Sequence, residues 1–273
     1  MSSRDTGLTL SLGILAAIVG YILWQLAIGM DTKVDDIATI LSNSASGATI
    51  ITISTILISV GLVVHVAGLI STRGTASGTW ETLGIISVVS AIAIWVTTSG
   101  LGIALVEMGE KFVTYSAQAA QAGAAAAQAG AAAQAAAAAG DATTAATAQA
   151  GAAQAGALAV KALDAATATA IAAGFTQAAS VASGTIANLL AGIGWICIGT
   201  AYRGSDAKGA ISFIPLGWLA LVAGLILLIA NLVINQVVST EMGSQISGIA
   251  FLLIVLWSVS RGIALIRDSK SKA

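Results

Sequence analysis

The chain has 273 residues, of which 57% are hydrophobic and 8% are charged, and its formal net charge is −1. A soluble globular domain normally carries about a quarter charged residues, so lipid is the expected solvent over much of this chain. The small net charge and the lack of a basic cluster argue against a nucleic-acid partner. Because Cys197 is the only cysteine, an intrachain disulfide and a cysteine-based zinc site are excluded.

Six apolar windows determine the predicted architecture, because a helix needs about 20 apolar residues to cross a bilayer core. They are residues 7–30, 47–70, 82–106, 182–201, 211–237 and 245–266. The first is too long for the apolar core of a cleavable signal, so we interpret it as an uncleaved membrane helix. The sequence therefore predicts an all-α, polytopic membrane helix bundle of about six transmembrane helices.

The basic residues indicate the orientation of these helices. When the connections are assigned to alternating sides, more basic residues fall on the side of the two termini than on the other. The richer side holds Arg4, Arg73, Arg203, Lys208, Arg267, Lys270 and Lys272, and the other holds Lys33, Lys111 and Lys161. Because basic connections stay in the cytoplasm, we expect both termini to be cytoplasmic.

Residues 107–181 form a low-complexity segment between the third and fourth windows. Between Tyr115 and Ala157 the sequence contains only Ala, Gly, Gln, Thr, Ser and Asp141, and alanine is the best helix former. Gln-Ala-Gly recurs at positions that include one seven-residue register, which is typical of helices packed side by side with small residues between them. The repeat begins at Gln121, Gln128, Gln149 and Gln154.

This segment predicts a long Ala-rich extracytoplasmic helical hairpin with arms at about 108–139 and 142–180. Gly140 would close the first arm and Asp141 would cap the second. The domains are then 1–106 and 182–273 for the two membrane halves and 107–181 for the hairpin. Disorder and insertion of the arms into the bilayer are the alternatives. Against insertion, the segment between Tyr115 and Ala157 lacks the Leu, Ile, Phe and Val that favour transfer into lipid.

A weak internal repeat is a further prediction. Arg73-Gly74-Thr75 and Arg203-Gly204-Ser205 both fall in predicted cytoplasmic turns, which would match helices two and three to helices four and five. Three residues are easily matched by chance, and glycine is expected in turns.

Polar residues at comparable depth in three helices are candidate site residues. We expect them to line a polar vestibule or, as membrane helices more commonly show, to make interhelical hydrogen bonds. They are Gln25, Thr97, Thr98, Asn231, Asn235 and Gln236.

Other residues suggest packing rather than chemistry. His65, the only histidine, could ligate haem or a metal, but a buried histidine bonded to a neighbouring helix is the simpler interpretation. Arg261 lies inside the last window, where its stem could extend to the interface or serve gating. Small residues of the fourth helix predict a close-packing seam. These are Gly184, Ala187, Ala191 and Gly192.

The sequence favours a structural role over catalysis. We find no nucleophile with an activating base, no phosphate loop and no paired catalytic carboxylates, so we expect neither an enzyme nor a bound cofactor or metal. The leading hypothesis is a membrane scaffold in a cell membrane or viral envelope, which associates with its own copies or a membrane-complex partner through the hairpin. Alternatives are a channel or small-solute transporter subunit and an accessory subunit of a respiratory complex using His65.

Overall fold

The computed structural model describes residues 1–76, 78–205, 207, 209–211 and 214–271, and these contain helices but no strand. The described chain also contains a π-helical turn, Ala230–Ile234. The helices are α1 (Ser3–Ile28), α2 (Ile37–Ser46), α3 (Ala48–Ser71), α4 (Thr79–Ala138), α5 (Ala142–Arg203), α6 (Leu216–Ile229), α7 (Asn235–Val237) and α8 (Thr240–Ser271).

Six helical segments of the described chain are long and apolar enough to cross a bilayer. They are α1, α3, α4, α5, the continuous segment Leu216–Val237 and α8. Each overlaps one of the six windows expected from the sequence. The prediction of an all-α protein with multi-pass membrane character is therefore confirmed.

The chain divides into two compact units. The bundle unit comprises Met1–Lys33, Thr49–Ile103 and Ala178–Ala273, and the hairpin unit comprises Val34–Ala48 and Ala104–Gln177. The hairpin unit includes α2, which the sequence analysis missed by treating residues 31–46 as a connection.

Glycine-to-glycine contacts pack the bundle unit. Between α1 and α3, a Cβ added at Gly13 would lie 2.7 Å from the carbonyl oxygen of Gly61. Between α5 and α6, a Cβ at Gly199 would lie 2.7 Å from the carbonyl oxygen of Gly217. Backbones this close leave no room for a side chain, and small residues are what membrane helices use for such approach.

The same seven-residue spacing occurs in both helix pairs. Seven residues make two turns of a slightly underwound helix, so residues spaced this way stay on one seam along a pair. The spaced pairs are Gly13 and Gly20 on α1, Gly61 and Gly68 on α3, Gly192 and Gly199 on α5, and Gly217 and Gly224 on α6. The α3 seam faces α1, whereas the α5 seam faces α6. The shared spacing therefore does not test the predicted internal repeat that matches α3 to α5, and this repeat remains a prediction.

Aromatic side chains fill the interior of the bundle unit. Trp257 is fully buried, and its ring meets those of Trp195 and Tyr202 edge-on at centroid distances of 5.1 and 5.4 Å. Aromatic pairs favour this geometry because the positive ring edge meets a negative ring face.

Alanine forms the corresponding seam in the hairpin unit. Along each arm the less exposed positions alternate at spacings of three and four residues, so both arms carry a seven-residue burial period. On α4 this period runs through Phe112, Tyr115, Ala119, Ala122, Ala126, Ala129, Ala133 and Ala136, and on α5 through Ala145, Ala148, Ala152, Ala155, Ala159, Ala162, Ala166, Thr169 and Ala173. Beside it, Ser116, Gly130, Gly156, Ala165 and Ala170 are also half-buried.

An apolar core lies at one end of the hairpin unit. Ile40 and Leu41 of α2 are buried there against Leu105 of α4 and Ala173 of α5. Their side chains come from three helices, so α2 closes this end of the pair. Asp36 caps α2 by accepting the Thr39 backbone N–H at 3.1 Å, as expected of a helix N-cap.

Candidate functional site

A buried amide network joins three helices of the bundle unit. Asn231 is 2% exposed, and its side-chain oxygen accepts hydrogen bonds from Asn188 at 3.1 Å and Asn235 at 3.3 Å. Its side-chain nitrogen donates to Ser247 at 3.2 Å and to the Leu227 carbonyl at 2.8 Å. Because every polar atom of the Asn231 side chain is paired, its burial in an apolar environment is tolerated.

Asn231 lies within the π-helical turn, Ala230–Ile234. The backbone N–H of Asn235 reaches the carbonyl of Ala230, five residues earlier, instead of the usual four. Such turns shift the helical register, and they occur frequently at functional sites. Here the turn and the amide network coincide, which makes this region the best-defined polar site in the bundle unit.

The other residues of the expected vestibule do not join this network. Gln25 donates to the Tyr21 hydroxyl of its own helix at 2.6 Å. Thr97 and Thr98 donate to backbone carbonyls one turn earlier in α4. Gln236 is exposed. Of the six candidate residues, the structure therefore brings together Asn231 and Asn235.

A second polar cluster was missed by the sequence analysis. Glu81, in the first turn of α4, is 2% exposed, and its carboxylate accepts the backbone N–H groups of Gly74 at 2.7 Å and Ala76 at 3.1 Å. The buried Tyr202 hydroxyl lies within electrostatic range of both Glu81 and Arg261. The carboxylate thus holds the turn before α4 against its helix. An acidic residue beside an Arg-Gly turn was the signal available in the sequence.

Arg261 is buried among protein side chains, and both roles considered from the sequence, a stem that extends to the interface and gating, remain predictions. It is 5% exposed and lies on the same face of α8 as the fully buried Trp257, one turn away. The hydroxyl of Tyr202 lies within electrostatic range of Arg261 and supplies a polar group that the hydropathy of α8 alone did not reveal.

His65 is bonded to a neighbouring helix. It is 1% exposed, and Nδ1 lies 3.0 Å from the carbonyl oxygen of Leu10 on α1. The contact fits a histidine that donates from Nδ1 to satisfy a buried carbonyl. Among the described residues, His, Cys, Asp and Glu do not gather in a group of three that could hold a metal ion.

The packing seam that the sequence predicts for the fourth membrane helix lies on α5. Ala187 and Ala191 are fully buried, and a Cβ at Gly192 would lie 3.1 Å from the Gly224 carbonyl oxygen. A Cβ at Gly184 would meet no atom within 4 Å. Gly184 therefore lies outside the close contacts that Gly192 makes.

The two arms of the hairpin unit are joined by a tight turn. The N–H of Gly140 donates to the Ala137 carbonyl and that of Asp141 to the Ala136 carbonyl, while Gly140 adopts a positive φ of 78°. This is the Schellman pattern that ends helices at glycine. Asp141 then accepts the Thr144 backbone N–H at 3.0 Å and caps α5.

The Asp141 carboxylate is held in its ionised form. The Thr144 hydroxyl and then the Thr144 backbone N–H hydrogen-bond to it, and they hold its pKa below the ordinary value of 3.8.

The glutamines of the predicted repeat lie outside the alanine seam. Each is exposed: Gln121, Gln128, Gln149 and Gln154.

Comparison with known proteins gives no assignment. No family model, no curated protein and no solved structure matches this chain.

Proposed function

We propose that this protein is a non-enzymatic membrane scaffold that associates with copies of itself through the hairpin unit. Between Phe112 and Lys161 the only charged residue is Asp141. The alanine seams account for one face of each arm, and the remaining faces are exposed yet nearly uncharged. A weakly charged helix pair is poorly solvated alone, and packing against another protein surface would bury it.

The proposal includes an orientation. Both termini are cytoplasmic and the arms are extracytoplasmic, which follows from the greater number of basic residues in the connections assigned to the side of the termini. The seven-residue burial period on both arms supports a two-helix coiled coil. The six apolar helices support a location in a membrane, for which we propose a cell membrane or viral envelope.

Cysteine crosslinking tests the scaffold on the full chain. In a Cys197→Ala background, a cysteine replacing the exposed Ala120 is expected to form intermolecular disulfides in lipid vesicles. A cysteine replacing the exposed Ile186 in the bundle unit serves as control and is expected to crosslink far less. A monomer in native electrophoresis from mild detergent, without crosslinking at Ala120→Cys, would contradict the proposal.

A channel or small-solute transporter subunit is the second candidate, favoured by the π-helical turn at Asn231. If the amide network lines a pathway, replacing Asn231 by leucine should abolish solute flux in liposomes, whereas Gln236→Leu should leave it unchanged. Equal flux through both variants would remove this candidate.

A further inference from the structure

The hydrogen bonds of Asn231 fix the orientation of the neighbouring Asn235 amide. The Asn231 nitrogen donates to the Leu227 carbonyl at 2.8 Å, and because a carbonyl only accepts, the Asn231 oxygen must be the atom that faces Asn235. The Asn235 side chain therefore presents its nitrogen to Asn231 and turns its oxygen, Oδ1, away. Exchanging the two ends of the Asn235 amide would place two oxygens against each other.

Asn235 Oδ1 is a buried acceptor to which no described residue donates a hydrogen bond. The backbone carbonyl of Ala230 lies on the same side. A Cβ added at Gly243 would overlap Asn235 Oδ1 and would lie 3.1 Å from the Ala230 oxygen. Two acceptors thus converge beside a residue that has no side chain. Because a buried acceptor without a donor is costly, this position favours a positively charged group.

The backbone beside Asn235 Oδ1 is the π-helical turn. The Ala230 carbonyl accepts the N–H of Asn235, and the last helical residue of this segment is Val237. A carbonyl oxygen has two lone pairs, so this single bond leaves one for a ligand. Interrupted helices of membrane proteins use such carbonyls to coordinate monovalent cations.

The helices that form the amide network carry no basic side chain near it. Residues 165–202 are uncharged, and Glu241 is the only charged residue in the range 216–260. These segments therefore cannot supply the positive group themselves. Glu241 is exposed in the first turn of α8, where it adds a negative charge two residues before Gly243. Divalent cations generally require carboxylate ligands, whereas neutral oxygens suit an ion of single charge.

We infer that Asn235 Oδ1 and the Ala230 carbonyl bind a monovalent cation, such as Na⁺, beside the amide network. Asn235 is half-buried although its Oδ1 is buried, so the ion reaches the site from the turn between α7 and α8, and water supplies its remaining ligands. This inference assigns a ligand to the bundle unit and does not depend on the proposed scaffold function.

Thermal unfolding in defined salts tests the site on the full chain in detergent. Choline chloride is replaced stepwise by NaCl or KCl at constant ionic strength, because choline is too large for the site. An ion that binds the folded state stabilises it, so we expect one of the two to raise the melting temperature saturably by about 3 °C. A water molecule bridging the two oxygens would leave the melting temperature equal in all three salts, and that result would overturn the inference.

A variant that lacks the amide oxygen shows where the ion binds. Asn235→Leu should abolish the cation-dependent shift, whereas Gln236→Leu, at the adjacent exposed position, should retain it in full. The shift between salts is the measured quantity, because losing the hydrogen bond to Asn231 lowers the melting temperature in every salt. Equal shifts in the two variants would assign the ion to another place and reject this site.

A methyl group placed at the site gives a second, steric test. Gly243→Ala would displace Asn235 Oδ1 and should weaken cation binding about tenfold. Gly248→Ala is the matched control on α8, since a Cβ there meets no atom within 4 Å. Broadening of the sodium NMR resonance by each protein measures binding directly. Similar broadening by both variants, with circular dichroism showing that both are folded, would contradict the inference.

Discussion

The bundle unit and the hairpin unit pack their helices with different small residues. Glycine seams in the bundle unit bring backbone atoms so close that an added Cβ would overlap a carbonyl. In the hairpin unit most of the less exposed positions of the two arms are alanines, which place a methyl group there. In lipid there is little hydrophobic drive between helices, so close backbone approach provides the attraction. An alanine seam gains from burying methyl groups and is expected to tolerate more variation.

The largest expected effect comes from enlarging a glycine of the bundle seam. Gly199→Leu should lower the free energy of unfolding by about 3 kcal/mol, because its Cβ would lie 2.6 Å from the Leu221 nitrogen. Gly184→Leu on the same helix is the control, since a Cβ there meets no atom within 4 Å. Thermal unfolding in detergent, followed by tryptophan fluorescence, measures both, and equal destabilisation would contradict the seam.

A matching change in the hairpin seam should be milder. Ala166 is 3% exposed, and Ala166→Leu should cost about 2 kcal/mol by overpacking. Ala168→Leu, exposed half a turn away, should be nearly neutral. Hydrogen exchange of the arms would report the difference. If the two variants behaved alike, the burial period would not reflect packing between the arms.

Disrupting the amide network should destabilise the bundle unit, but by less than the two seam substitutions destabilise the protein. Asn231→Leu loses the hydrogen bonds to Asn188 and Ser247 and is expected to cost about 1 kcal/mol. Gln236→Leu, at an exposed position of the same segment, should leave the melting temperature unchanged. A variant at Asn231 as stable as wild type would show that the network is energetically neutral.

The smallest expected effect concerns the acid response of the turn between the arms. Because the pKa of Asp141 is lowered on folding, its contribution is complete above the ordinary value of 3.8 and is lost as the pH falls below it. Protease sensitivity at the turn should therefore rise below about pH 4 in the wild type. Asp141→Asn, which keeps an accepting oxygen without the charge, should remove this pH dependence. An unchanged acid response in that variant would assign it to other carboxylates.

The six apolar helices could be predicted because their length and composition depend on local sequence. The break at Gly140 and Asp141 was equally local, since glycine and aspartate have distinct roles at helix ends. The short helix α2 also had local signals, namely an Asp36 cap and apolar residues at Ile37, Ile40 and Leu41. At 10 residues α2 is too short to cross a bilayer, so the length of apolar stretches did not indicate it.

The polar clusters could be predicted only in part. Asn231 and Asn235 were found because they lie one turn apart on a single helix. Their partners Asn188 and Ser247 come from other helices, and pairing across helices depends on rotations that the sequence does not specify. The burial of Glu81 and Arg261 is likewise a property of the assembled bundle unit.

The turn at Gly140 and Asp141 restricts how the arms could change in length. Because it joins two seams that share a seven-residue period, inserting or deleting a few residues in one arm would turn its alanines out of the seam. Inserting or deleting multiples of seven residues, equally in both arms, would keep the two seams facing each other. The turn therefore fixes the register of the two arms, so the viable lengths of this hairpin should form a discrete series in steps of two helical turns.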